Sequence, residues 1–180
     1  MTQPPSDLSA SLPSGRPGLG QVVNRLSQRL QRDRLVQETT DALRKSLAVN
    51  RVVLYYFYRQ WEGQVTFESL SSPGYSILGS TGPDECFNGD YAAMYLEGRV
   101  RAIADIEAAD IHECHREFLR NIDVRANLVV PVLVAGDLWG LLVAHHCENT
   151  RQWSAGEVSQ MLEAAEQLAD SPAVNSPQSL

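Results

Sequence analysis

Apolar side chains recur every three to four residues between Gln21 and Leu47, at Val22, Leu26, Leu30, Leu35, Ala42 and Leu43, separated by Arg, Gln, Asp and Glu. This spacing predicts an amphipathic helix, broken at most once. Its first half is more polar than a core helix, which suggests a segment that either extends beyond the domain to meet a partner helix or lies on the surface. Arg51 to Tyr58 is dense in β-branched and aromatic residues, and Gln64 to Ser69 again suits a strand, so the two predict a hairpin across Trp61-Glu62-Gly63. From Ser71 to Asp90 the breakers Pro73-Gly74, Gly79, Gly82-Pro83 and Asn88-Gly89 predict a long loop. Loops of that length inside a compact domain commonly carry function.

Arg99 to Ile106 reads as a short strand. Ile111 to Asn121 has helical spacing in Ile111, Cys114 and Phe118, which puts Cys114 at the margin of the buried stripe with His115 beside it. Asn127 to Val134 and Leu138 to Cys147 are apolar strands joined at Ala135-Gly136-Asp137, expected at the centre of the sheet. Ser154 and Glu157 form a capping-box pair ahead of a last helix carrying Val158, Met161, Leu162, Ala165 and Leu168 to about Asp170. Helix, two strands, loop, strand, helix, two strands and helix make an α+β order. Such an order suits an antiparallel sheet with helices on one side and a ligand under loops on the other.

Composition trims the ends. Residues 1–20 are rich in Pro, Ser and Gly with few large apolar side chains, and residues 171–180 read the same way, so both are expected to be disordered around a domain spanning 21–170. A net charge of -7 argues against a nucleic-acid or anionic-membrane partner. The N-terminus has no export pattern and no apolar run approaches a membrane span, so a cytoplasmic protein is expected. Three cysteines, an odd number, point to free thiols rather than a disulfide framework.

Candidate chemistry centres on Cys114-His115, because a thiol is nucleophilic as the thiolate and an adjacent imidazole can shift that balance. Cys86, in Asp84-Glu85-Cys86-Phe87, is a second candidate on the long loop. The runs from Gly98 to Ile106, Cys114-His115, Val124 to Pro131 and Leu138 to Cys147, in that order, resemble the GAF domain of cyanobacteriochromes, bilin-binding photoreceptors related to phytochromes. The Asp84 tetrapeptide resembles the Asp-Xaa-Cys-Phe signature of their two-cysteine subgroup.

The resemblance implies a GAF fold with a linear tetrapyrrole, phycocyanobilin or phycoviolobilin, joined by a thioether to Cys114 under loops and a short helix. It implies that Cys86 adds reversibly to the bilin's central methine bridge, tuning colour to the violet or blue, and that light drives 15Z/15E isomerisation at the terminal D ring. By the same resemblance Asp84 offsets the charge of the pyrrole nitrogens, and His115 packs on the ring plane or manages a proton. Arg99 grips a propionate, assisted by Tyr95, and His145 faces the D ring. Strand alternation allows only one of His145 and His146 inward, and His145 is the expected one. Trp139 and Cys147 are expected in the core. A sensor rather than an enzyme follows.

No kinase, nucleotide cyclase or methyl-accepting region follows residue 170, so the expectation is a stand-alone sensor or a piece of a longer chain. Its signal would leave through the terminal helices, by homodimer pairing or through a signalling partner. Two alternatives stand beside this reading. One is a thiol redox enzyme like the free methionine sulfoxide reductases, using Cys86, Cys114 and Cys147. The other is a GAF module for a colourless small ligand such as a cyclic nucleotide. A metal site at His112, Cys114, His115 and His145 lacks the usual zinc-ligand spacings.

Overall fold

The structure, a computed structural model, describes residues 18–59, 62–82 and 90–175, apart from the side chains of 90–92. Asp84 and Cys86 therefore lie outside the described residues. The long helix α1 runs unbroken over Leu19–Leu47 and ends on Ala48, whose positive φ of 50° closes the last turn. Its buried stripe is Val36, Thr40, Leu43 and Leu47, whereas Leu35 is half-buried and Ala42 is exposed. The stripe is rotated from the expected one because Thr40 enters the core with its hydroxyl donating to the Gln37 carbonyl at 3.0 Å.

Strands β1 (Arg51–Arg59) and β2 (Glu62–Leu70) form the expected hairpin. Only Arg101–Ile103 of the expected 99–106 strand pairs, as β3, and helix α3 occupies Glu113–Asn121. Strands β4 (Ala126–Val134) and β5 (Asp137–His146) follow, joined through Ala135 and Gly136 at φ 53° and 90°. Two successive positive φ angles give the tight turn whose twist matches paired strands. The five strands are antiparallel neighbours in the order β2-β1-β5-β4-β3, with β5 in the middle.

One face of the sheet is closed by α1 and α4 (Ala155–Asp170) over Val52, Leu54, Leu128, Val130, Leu142, Ala144, Met161 and Leu168. The Ser154–Glu157 capping box starts α4 as its sequence indicates. Trp139 joins this core, with its ring 5.3 Å from that of Tyr56, and Cys147 is buried. The opposite face lies under α3 and the loops.

Two short helices depart from the sequence reading. Helix α2 (Asp90–Leu96) starts at the last residue of the expected loop and fills a stretch assigned to no element, and α5 (Pro172–Asn175) occupies part of the expected disordered tail, with Val174 fully buried. Four to seven residues are too few for a helix to be stable alone, so tertiary packing rather than local propensity makes these two. The ordered body also begins before residue 21, at the start of α1.

Candidate functional site

Strand alternation sends Val53 and Tyr55 of β1, Asn127 and Val129 of β4, and Leu141, Val143 and His145 of β5 to the face away from α1 and α4. Over them close Ile111, His115, Phe118 and Leu119 around α3, Tyr95 and Arg99 at the end of α2, and the 80–82 segment. Together they line a cavity of about 90 Å³. Its walls are mostly apolar with a few placed polar groups, the usual make-up of a small-molecule site.

Arg99 and Arg101 bring two guanidinium groups to the wall, and none of the described lining residues is acidic. Burial and these two neighbouring cations push the His115 imidazole down to about 4, so it is neutral at physiological pH. His145 is also held well below the ordinary range, by burial first and by Arg51 second. A neutral imidazole can accept or pass a proton but cannot lend a positive charge to a thiolate.

The rim is built by polar ties. Arg116 donates to the carbonyls of Ile106, Glu107, Ala109 and Ile111, shaping the loop that leads into α3. The Cys114 amide donates to Nδ1 of His112 at 3.3 Å, which caps the helix at the cysteine. The Tyr55 hydroxyl donates to the Gly63 carbonyl at 2.8 Å and accepts from the Gly82 amide at 3.1 Å, fixing the opposite lip.

Of the residues singled out in the sequence, Arg99, Tyr95, His115 and His145 line one cavity. Cys114 is half-buried on α3, one residue before His115. It is disulfide-bonded, which corrects the expectation of free thiols; Cys147 is the free cysteine among the described residues. An odd cysteine count cannot tell which sulfurs fold within bonding distance. His146 turns away from the cavity, and its Nδ1 accepts from the Asn149 amide at 3.2 Å.

Two wall residues escaped sequence reasoning, Arg101 and Asn127, as did the deeply buried Arg51 that contacts His145. Asn127 and Arg51 carried a signal, since Asn127 is a polar residue near the start of an apolar strand and Arg51 is a charge at the head of one.

The two histidines give a stability prediction. His115 binds its proton near pH 6.5 when unfolded and near 4 when folded, so between those values the unfolded chain holds the extra proton. Stability is therefore complete above about pH 6.5 and falls as the pH drops toward 4, by about 3 kcal/mol for this group. His145 acts in the same direction. Urea midpoints of the ligand-free protein should decline steadily from pH 7 to pH 4.5; a flat profile would show that the imidazoles are not held neutral.

Comparison with known proteins adds three findings. The family profile described as the GAF domain matches residues 31–171. An uncharacterized protein of Picosynechococcus is 56% identical over 84% of this chain and 93% of its own length, and the circadian input-output histidine kinase CikA of Synechocystis is 34% identical over 84% of this chain. This chain spans only 23% of that kinase. Among solved structures, the blue-light absorbing form of the Thermosynechococcus elongatus PixJ GAF domain is 35% identical with a TM-score of 0.75, covering 80% of this chain and 86% of its own. The phycocyanobilin-bound GAF domain from a cyanobacterial phytochrome is 29% identical with a TM-score of 0.73, covering 87% and 92%.

Proposed function

Because this chain belongs to the GAF domain family, we propose that it is the light-sensing domain of a cyanobacteriochrome, not an enzyme, and that its cavity holds a linear tetrapyrrole. The observation that carries the reading is the cavity itself: apolar walls with two guanidinium groups on one side, beside the helix that bears Cys114. A bilin is a long, flat, largely apolar molecule with two propionate carboxylates, and that is the complement of such a wall. Arg99 and Arg101 bind the carboxylates, and Phe118, Val129 and Val143 exclude water. The bilin supplies light absorption and the isomerising double bond.

Cys114 anchors it. The thiol adds across the exocyclic double bond of the terminal A ring, forming one S–C bond while the thiol proton ends on carbon, so no oxidant or reductant enters the addition. Phycocyanobilin or its isomer phycoviolobilin fits this chemistry, and Cys86 supplies the reversible second thioether. The test is to produce the protein together with phycocyanobilin and record absorption before and after illumination. Reversible photoconversion of a pigment that survives acid unfolding is expected; a colourless product overturns the proposal.

The disulfide at Cys114 favours a second reading, a thiol redox enzyme acting on free methionine sulfoxide. The arginine pair and the apolar depth of the cavity have no task in it. Thiol-dependent reduction of that substrate, with no pigment bound, would be its signature.

Signal leaves through α1. Leu19, Val23, Leu26 and Leu30 are exposed and spaced four, three and four apart, the seam of a two-helix coil, and we assign it to a second copy of this chain. Leu26→Asp should convert a dimer to a monomer in analytical ultracentrifugation. A wild-type protein that sediments as a monomer at high concentration would rule the pairing out.

A further inference from the structure

Two β-bulges shape the sheet face that lies under α1 and α4. In the β1–β2 ladder Leu54 stands opposite Phe67 and Tyr55 opposite Val65, so Thr66 is the extra residue. In the β4–β5 ladder Val132 stands opposite Gly140 and Leu133 opposite Leu138, so Trp139 is the extra one. A bulge bends its strand and re-aims the side chains beside it. Strict alternation would put Trp139 on the cavity face with Leu141 and Val143, yet it joins the helix-side core with Leu54, Tyr56 and Phe67. Phe67 is likewise turned away from Val65, which stays on the cavity face.

The helices do not cover this aromatic group completely. The first residue that α1 buries is Val36, and Arg32 lies one turn earlier on the same side of the helix. Between Arg32 and the bulged strands is a cleft of about 290 Å³, on the opposite face of the sheet from the cavity described above. Leu54, Tyr56, Phe67 and Trp139 supply its apolar and aromatic walls, and the exposed Tyr58 borders it. The rings of Tyr56 and Trp139 meet edge to face at 5.3 Å.

Two groups in the lining set its chemistry. Trp139 Nε1 is buried and has no hydrogen-bond partner among the described residues. An indole N–H can only donate, and buried donors in folded proteins are nearly always paired, so this one calls for an acceptor. Arg32 is the one cation of the lining, and no lining residue is acidic. Its Nε and Nη2 both donate to Asp33 Oδ1 at 3.1 Å, which occupies two of the three guanidinium nitrogens.

An aromatic slot with one neutral donor and one cation is the complement of a flat ring that carries two acceptor oxygens. We propose that this cleft is a second ligand site, and that it takes a small planar aromatic carboxylate. The ring lies against the aromatic wall, one carboxylate oxygen accepts from Trp139 Nε1 and the other faces Arg32. Because the indole nitrogen is sealed in the ligand-free protein, the Trp139 ring must turn to meet the oxygen. The assignment does not depend on what fills the cavity on the other face.

The test uses the full chain labelled with nitrogen-15 tryptophan and titrated with 2-naphthoate. Two guanidinium groups line the cavity on the other face and would suit the same probe, so the readout is the Trp139 indole N–H signal rather than total binding. That signal, assigned by its loss in Trp139→Phe, should move saturably. The Trp153 signal, whose N–H already donates to the Ile103 carbonyl at 3.1 Å, should stay in place. Arg32→Gln, a change on the half-buried side of α1, should weaken the Trp139 titration about tenfold, the worth of one charge-assisted hydrogen bond. The uncharged 2-naphthylmethanol should bind wild type more weakly by a similar factor. A Trp139 signal that does not move at saturating 2-naphthoate would overturn the site without any variant having to fold. Equal titrations in wild type and Arg32→Gln would overturn the carboxylate assignment.

Discussion

Replacing Cys114 by alanine is expected to abolish covalent pigment: after acid unfolding the variant's polypeptide should be colourless where the wild type is coloured. The reason is chemical. A thioether survives unfolding because it is a bond, whereas the grip of Arg99, Arg101 and the apolar wall disappears with the fold. Before unfolding, Cys114→Ala should still retain some pigment by these contacts, and gel filtration would separate loss of attachment from loss of the pocket. A variant that keeps full covalent colour would remove Cys114 as the anchor.

The same bond requires a thiol, and Cys114 is disulfide-bonded in this structure. Attachment to purified ligand-free protein should therefore depend on prior treatment with a reductant such as dithiothreitol, which supplies the two electrons that open the disulfide. Protein kept oxidised should take pigment without bonding it. Equal covalent yield with and without reductant would mean that the disulfide does not stand in the way.

The second large effect is expected at Cys86. Cys86→Ala should leave the pigment attached through Cys114 and remove the violet- or blue-absorbing state, leaving absorption at longer wavelength. Addition of the Cys86 sulfur to the central methine carbon, with its proton passing to a pyrrole nitrogen, interrupts the conjugation that joins the two halves of a bilin. Release restores it. No net oxidation is involved, so light alone can reverse the step by changing which isomer is presented to the thiol. Spectra of Cys86→Ala identical to wild type in both states would show that no second thioether forms in this protein.

Much of the fold was legible along the chain. Alternating and continuous apolar runs marked the two hairpins, the capping pair Ser154 and Glu157 marked the start of α4, and period-two alternation separated His145 from His146. These are local signals, because the direction of a side chain from a strand or helix depends on its neighbours in sequence. Helices α2 and α5 were not legible for the same reason: their stability comes from packing against distant elements.

The amino-acid sequence by itself determined the long helices, the two hairpins and the alternation of their strands, and its resemblance to a known family singled out Arg99, Tyr95, His115 and His145. The tertiary structure alone decided that Arg51 meets His145 across 94 positions of chain and that Asn127 stands opposite His145 with a buried oxygen that has no hydrogen-bond partner among the described residues. It also decided that His115 is neutral between two arginines and that Cys114 is disulfide-bonded. Proton positions and sulfur bonding depend on distances of a few ångströms between residues far apart in sequence, and those distances exist only once strand register and loop closure have been set.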